Sequence, residues 1–224
     1  MFRKNHAGII VIDGADGVGK STQFELLKKT YLNCEFTKFP NYNSDTGFFI
    51  SKYLNGDLNH VFEGMDEIDK VNKISKLYAM DRVLWFGTSY NKYKNLICDR
   101  YTTSNIIHMS ALIINSGGTI DDVYNYIDTL ENLEYNILNI PEPDLVIYLD
   151  ASPKNLMNNL STSREVLDVL ENESNFRAIE SVKNEIIIYC GWAVVKCDDE
   201  NGMRPIEEIN NDIKKIIDAY LNKK

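Results

Sequence analysis

Eight residues, Gly14-Ala15-Asp16-Gly17-Val18-Gly19-Lys20-Ser21, fill every fixed position of the phosphate-cradling pattern G-x-x-x-x-G-K-[ST]. Its glycines let backbone N–H groups turn toward phosphate oxygens, its lysine reaches the outer phosphates, and its hydroxyl can hold Mg²⁺. The pattern works only between a strand and a helix N-terminus, where the helix dipole adds positive potential. Gly8–Asp13 (GIIVID) reads as that strand, and Ser21–Leu32 as that helix, with Phe24, Leu27, Tyr31 and Leu32 on one side. The segment implies a nucleoside triphosphate site built from Gly14, Ala15, Asp16, Gly17, Val18, Gly19, Lys20, Ser21 and Thr22. A dinucleotide fingerprint is excluded, since Thr22 stands where its third glycine belongs.

Two arginines narrow the chemistry. Arg100 follows Asp99 at the end of an apolar strand, at the carboxyl edge where open α/β sheets bind ligands. Arg82 shares a helix face with Tyr78, one turn before it. A ring beside a guanidinium suits a stacked base with a carbonyl oxygen; the same pair also fits a surface salt bridge with a packed tyrosine. No N-K-x-D segment follows a later strand, which argues against a GTPase. Cys34, Cys98, Cys190 and Cys197 form no C-x-x-C pair, and His6, His60 and His108 are too scattered for a metal site.

The elements that must position these residues alternate. Strand signals at Gly8–Asp13, Glu35–Phe39, Leu96–Asp99, Leu145–Asp150 and Trp192–Cys197 are separated by helical patterns, the mark of a parallel sheet with crossover helices. The clearest helices run over 66–90, over 119–138 with Val123, Ile127, Leu130 and Leu133 as its stripe, and onward from Pro205. Asn155–Ser163 is the most polar and least patterned stretch and reads as a mobile segment. A length of 224 residues, 44% of them hydrophobic and 11% aromatic, suits one globular domain. The net charge of −9 argues against a nucleic-acid backbone as partner. The first apolar run stops at Asp13, too short for a signal peptide, and no stretch reaches membrane-span length, so a cytoplasmic protein is expected.

With these residues in place the chain resembles the thymidylate kinases. The resemblance is carried by IVIDGADGVGKSTQ at 10–23, FPNY at 39–42, LYAMDR at 77–82, DRYTTSN at 99–105, PEPDLVIYLD at 141–150 and a later D-x-x-E at Asp168–Glu171. It implies a three-layer P-loop NTPase fold over 1–224, a five-stranded parallel sheet with helices on both faces and a lid near 153–165. It implies in-line phosphoryl transfer from ATP, with Mg²⁺ as cofactor, to thymidine monophosphate. Lys20, Asp16 and Arg100 would act catalytically, with Ser21 and Asp16 near the metal. Tyr78 would stack on the base and Arg82 would read its O4. Ser104 and Asn105 would line the base pocket, Phe39 would pack under the sugar, and Tyr42 would help Arg100 hold the acceptor phosphate. His108 falls at a sugar contact or a packing position. The family's loop arginine is absent, because Gly17 follows Asp16, so Arg164 of the lid is expected to carry the last cation. Asp168 and Glu171 would orient it or reach the metal. A homodimer is implied. A kinase for another nucleotide or nucleoside, and a non-catalytic nucleotide-binding protein of the same fold, are the alternatives.

Overall fold

Five short strands pair edge to edge in the computed structural model, which describes residues 7–163 and 172–223. The first half of the chain runs β1 (Ile9–Gly14), α1 (Lys20–Thr30), β2 (Glu35–Lys38), α2 (Asp45–Leu54), α3 (Glu67–Thr88), β3 (Leu96–Asp99), α4 (Thr102–Asn115) and α5 (Ile120–Glu131). The second half runs β4 (Leu145–Asp150), α6 (Pro153–Ser163), α7 (Glu173–Cys190), β5 (Ala193–Lys196), the ribbon β6 (Asp198–Asp199) and β7 (Gly202–Met203), and α8 (Ile206–Leu221). The main sheet is parallel, in the order β2-β3-β1-β4-β5. All five expected strands are present, shifted by no more than a residue at either end.

β1 is buried at every position, the pattern of a strand covered on both faces. Its alternate residues enter two clusters. Ile10 and Ile12 join Phe24 and Leu27 of α1 and Ile106 and Ile107 of α4. Ile9 and Val11 join Phe39, Cys98 and Tyr101, with Trp85 and Phe86 of α3 packed against them. Each of these fully buried aliphatic side chains contributes on the order of 1.5–3 kcal/mol of burial free energy. That packing fixes the carboxyl edge of the sheet, where β1 ends in the phosphate loop and β3 ends at Arg100.

Helix starts follow local chemistry. Thr119 and Asp122 form a capping box on α5, Asp66 caps α3 and Ser44 caps α2. The expected 119–138 helix changes character after Glu131: residues 132–137 continue as a π-helical turn, which buries Glu134 where the apolar stripe was expected at Leu133. The mobile segment expected at Asn155–Ser163 is instead part of α6, whose Leu156 and Leu160 are buried. Arg164, Asp168 and Glu171 lie outside the described residues.

Candidate active site

The phosphate loop closes on its own lysine. Lys20 Nζ donates to the carbonyls of Gly14 at 2.8 Å and Ala15 at 2.9 Å and stands 3.4 Å from Asp16 Oδ1. Burial, then the charge of Arg100, pushes the Lys20 pKa down against the pull of Asp16. Around it lies a cavity of about 460 Å³ walled by Asp16, Gly17, Gly19, Lys20, Ser21, Thr22, Lys38, Arg100, Asn159 and Leu160. Sheet register sets Lys38 of β2 beside Asp99 of β3. Lys38 Nζ is 3.4 Å from Ser21 Oγ and 3.1 Å from Asp99 Oδ2, an ion pair that lies off the hydrogen-bond direction. A cation thus already stands between the loop hydroxyl and a buried carboxylate.

A second cavity opens on the other side of Arg100. Phe39, Tyr42, Tyr78, Arg82, Arg100, Ser104, Asn105 and His108, the eight residues expected around an acceptor, all line it, and Asp16 joins them. Asp16 and Arg100 wall both cavities and are paired through Asp16 Oδ1 and Arg100 Nη2. Arg100 is held with its backbone at φ 67, the left-handed region, immediately after β3. Burial opposes its charge, but Asp16, Asp13 and Asp99 more than offset this and keep the guanidinium protonated. Its Nη1 lies 3.4 Å from Ser104 Oγ and 3.3 Å from His108 Nε2. A guanidinium only donates, so His108 Nε2 is the acceptor and Nδ1 carries the ring proton. Burial first and Arg100 second hold the His108 pKa down to about 4, so the ring is neutral.

Buried carboxylates set several of the other residues on this wall. Asp13, its own pKa raised by burial, takes the Ser104 hydroxyl at 2.8 Å, the Gly14 amide at 2.8 Å and the Thr103 hydroxyl. Asp81 of α3 accepts from Asn41 N at 2.8 Å, Ser44 Oγ at 2.9 Å and Thr46 Oγ1 at 2.7 Å, tying the loop that carries Tyr42 onto the helix that carries Tyr78. Phe39 is buried edge-on against Trp85 and Tyr101, at centroid distances of 5.5 and 5.8 Å. Arg82 is only 1% exposed, which removes the surface-salt-bridge reading. Glu134 takes its Nε at 2.7 Å and its Nη2 at 2.5 Å.

Sequence reasoning missed Lys38, Asp81 and Glu134 and assigned no role to Asp99. Lys38 carried the signal that found Arg100, a basic residue at a strand's carboxyl end. For magnesium the donor set fits. Ser21 is a hard oxygen donor on the cavity wall, and Asp99 is one behind Lys38, with both of its oxygens buried outside hydrogen-bond geometry. Among the described residues no three His, Cys, Asp or Glu gather as a closed metal cage. Magnesium does not need one, since it takes one or two carboxylates plus phosphates and water.

The family model described as thymidylate kinase matches residues 12–213. The chain belongs to the thymidylate kinase family. It is therefore a nucleoside monophosphate kinase, and its reaction is the phosphorylation of thymidine monophosphate. Relatives resemble it along nearly their whole length. The thymidylate kinase of Dictyostelium discoideum is 25% identical, covering 96% of this chain and 86% of its own. A probable thymidylate kinase of Methanococcus aeolicus is 28% identical, covering 95% and 97%. The solved thymidylate kinase of Candida albicans superposes with a TM-score of 0.70 at 20% identity, over 98% of this chain and 94% of that one, and shares the fold.

Proposed function

We propose that ATP occupies the Gly14–Thr22 loop, that thymidine monophosphate occupies the adjoining cavity, and that the γ-phosphoryl passes in line between them beside Arg100. The observation that supports this reading is the Asp16–Arg100 pair, which belongs to the walls of both cavities. Phosphoryl transfer needs alignment and charge neutralisation rather than covalent help. Lys20 leaves the loop carbonyls for the outer phosphates of the donor. Arg100 and Tyr42 hold the acceptor monophosphate, whose attacking oxygen is already ionised, so no general base is assigned. Asp16 orients Arg100 and lies near the sugar hydroxyl. Tyr78 stacks on the base, Arg82 reads its carbonyl oxygen, and Ser104, Asn105 and His108 close the pocket around base and sugar.

Ser21 and Asp99 would hold Mg²⁺, with Asp16, already engaged by Arg100 and Lys20, in a supporting place. When bound, the ion neutralises charge on the donor phosphates. The last cation comes from Arg164, since Gly17 leaves no arginine in the loop. The chain works as one unit over 1–224, as a homodimer in the cytoplasm and without nucleic acid. Exposed Phe48 and Phe49 of α2 and Met80 and Leu84 of α3 supply an apolar surface for a second copy, and the charge of −9 disfavours nucleic acid. No helix among the described residues is long and apolar enough to cross a membrane.

Steady-state kinetics on two variants test the assignment. Arg100→Ala is expected to cut kcat/KM for thymidine monophosphate by roughly 10²–10³, with ATP affinity retained. Arg164→Ala is expected to lower kcat while leaving both nucleotide affinities near wild type. An unchanged kcat in the second variant removes Arg164 from the mechanism.

A further inference from the structure

Behind the wall of the acceptor cavity, Arg82 is held in an ion pair that stability alone does not explain. Arg82 is 1% exposed and Glu134 is fully buried. Removing both charges from water costs several kcal/mol per ion, and a well-packed apolar pair often does as well or better for stability. The geometry spends every strong contact of the carboxylate on orientation. Glu134 Oε2 accepts from Arg82 Nε at 2.7 Å and from Thr102 Oγ1 at 2.6 Å, while Oε1 accepts from Arg82 Nη2 at 2.5 Å. The π-helical turn over 132–137 supplies the backbone twist that brings Glu134 inward, four residues after buried Leu130.

We propose that Glu134 is a positioning and selectivity residue: by clamping Nε and Nη2 of Arg82, it turns the guanidinium so that its Nη1 edge meets the acceptor base. A fixed guanidinium edge is a pure donor. It matches a pyrimidine with a carbonyl oxygen at that edge and rejects one with an amino group there, because two donors then face each other in a dry pocket. A free arginine on a long side chain would discriminate less, since it could withdraw from the amino group. Thr102, at the start of α4, fixes the carboxylate itself and so acts one step further back.

This inference rests on the base-pocket reading above, and the experiment separates the two. Wild type, Glu134→Gln and the milder Thr102→Val are compared for KM and kcat with thymidine, deoxyuridine and deoxycytidine monophosphates, and for KM with ATP, after circular dichroism confirms folding. Glu134→Gln is expected to raise KM for thymidine monophosphate at least tenfold with a smaller change in kcat. It is also expected to shrink the preference over deoxycytidine monophosphate by a similar factor and leave KM for ATP within twofold. Thr102→Val, which keeps the charge, is expected to move the same quantities in the same direction by roughly threefold. Lower melting temperature with KM and base preference within twofold of wild type, in either folded variant, overturns the positioning role. A wild type that does not prefer a 4-carbonyl base overturns the base-pocket reading instead.

Discussion

His108 shows how one side chain records its surroundings. Its neighbours decide its tautomer, because Arg100 can only donate to Nε2, and its burial decides its charge. The folded pKa of about 4 lies below the ordinary 6.5, so the unfolded chain binds the proton more readily. Stability contributed by neutral His108 is complete above about 6.5 and is lost as pH falls toward 4. At about 1.4 kcal/mol per pKa unit the loss is on the order of 3 kcal/mol. Urea melts between pH 7 and pH 4 are expected to show this slope in wild type and a shallower one in His108→Gln; parallel slopes would contradict the assignment. The sequence placed His108 at a sugar contact or a packing position on resemblance alone, and offered nothing about tautomer or charge, which depend on Arg100, eight positions away across a helix start. Asp81 was equally opaque. It stands in the LYAMDR segment with no assigned role, and the fold shows it binding the loop at 41–46.

At the scale of elements, the phosphate loop and α6 form one packed unit. Gly17 has φ 84, and a Cβ there would stand 2.7 Å from the Leu156 carbonyl and 3.1 Å from Leu160 Cγ. Asn159 Nδ2 donates to the Gly17 carbonyl at 3.0 Å. An arginine at this position would therefore displace α6 as well as adopt a strained backbone, which is a physical reason for its absence from the loop. Gly17→Ala is expected to destabilise the fold by about 2 kcal/mol or more, from left-handed strain and the collision together. Thermal and urea unfolding measure it, and a stability equal to wild type would mean that α6 does not press on the loop. This contact was invisible in the sequence, where a polar 155–163 stretch suggested mobility; only Leu156 and Leu160, four apart, hinted at a helix face. α4 was also missed, because Ile106, Ile107, Met109, Ala111 and Ile113 are buried on several sides and leave no single stripe to read. β1, β3 and β4 were legible because a short apolar run between polar turns is too brief for a helix and too apolar for a loop.

The whole molecule joins two cavities through one pair of residues, and that was half legible. The wall of the loop cavity follows largely from one contiguous motif. The wall of the second cavity is gathered from the ends of β2 and β3 and from α3 and α4; Arg82, Tyr78 and Arg100 were legible by type and place, and the resemblance supplied the rest. The fixing groups behind it, Glu134 and Asp81, carry no motif of their own. Assembly follows the same logic of exposed surface: Leu84→Asp combined with Phe48→Asp is expected to convert a homodimer into monomers in sedimentation velocity runs, with the circular dichroism spectrum unchanged. A wild type that already sediments as a monomer would remove the dimer. In the proposed function, Asp16 and Arg100 bring a triphosphate and a pyrimidine monophosphate to one reaction line. This is tested most directly by coupled ADP release with MgATP and a panel of nucleoside monophosphates. Turnover with thymidine monophosphate well above the cytidine, adenosine and guanosine nucleotides, falling by roughly 10²-fold or more in Arg100→Ala, is the predicted result. No ADP release with any monophosphate, or the same rate without Arg100, would contradict it.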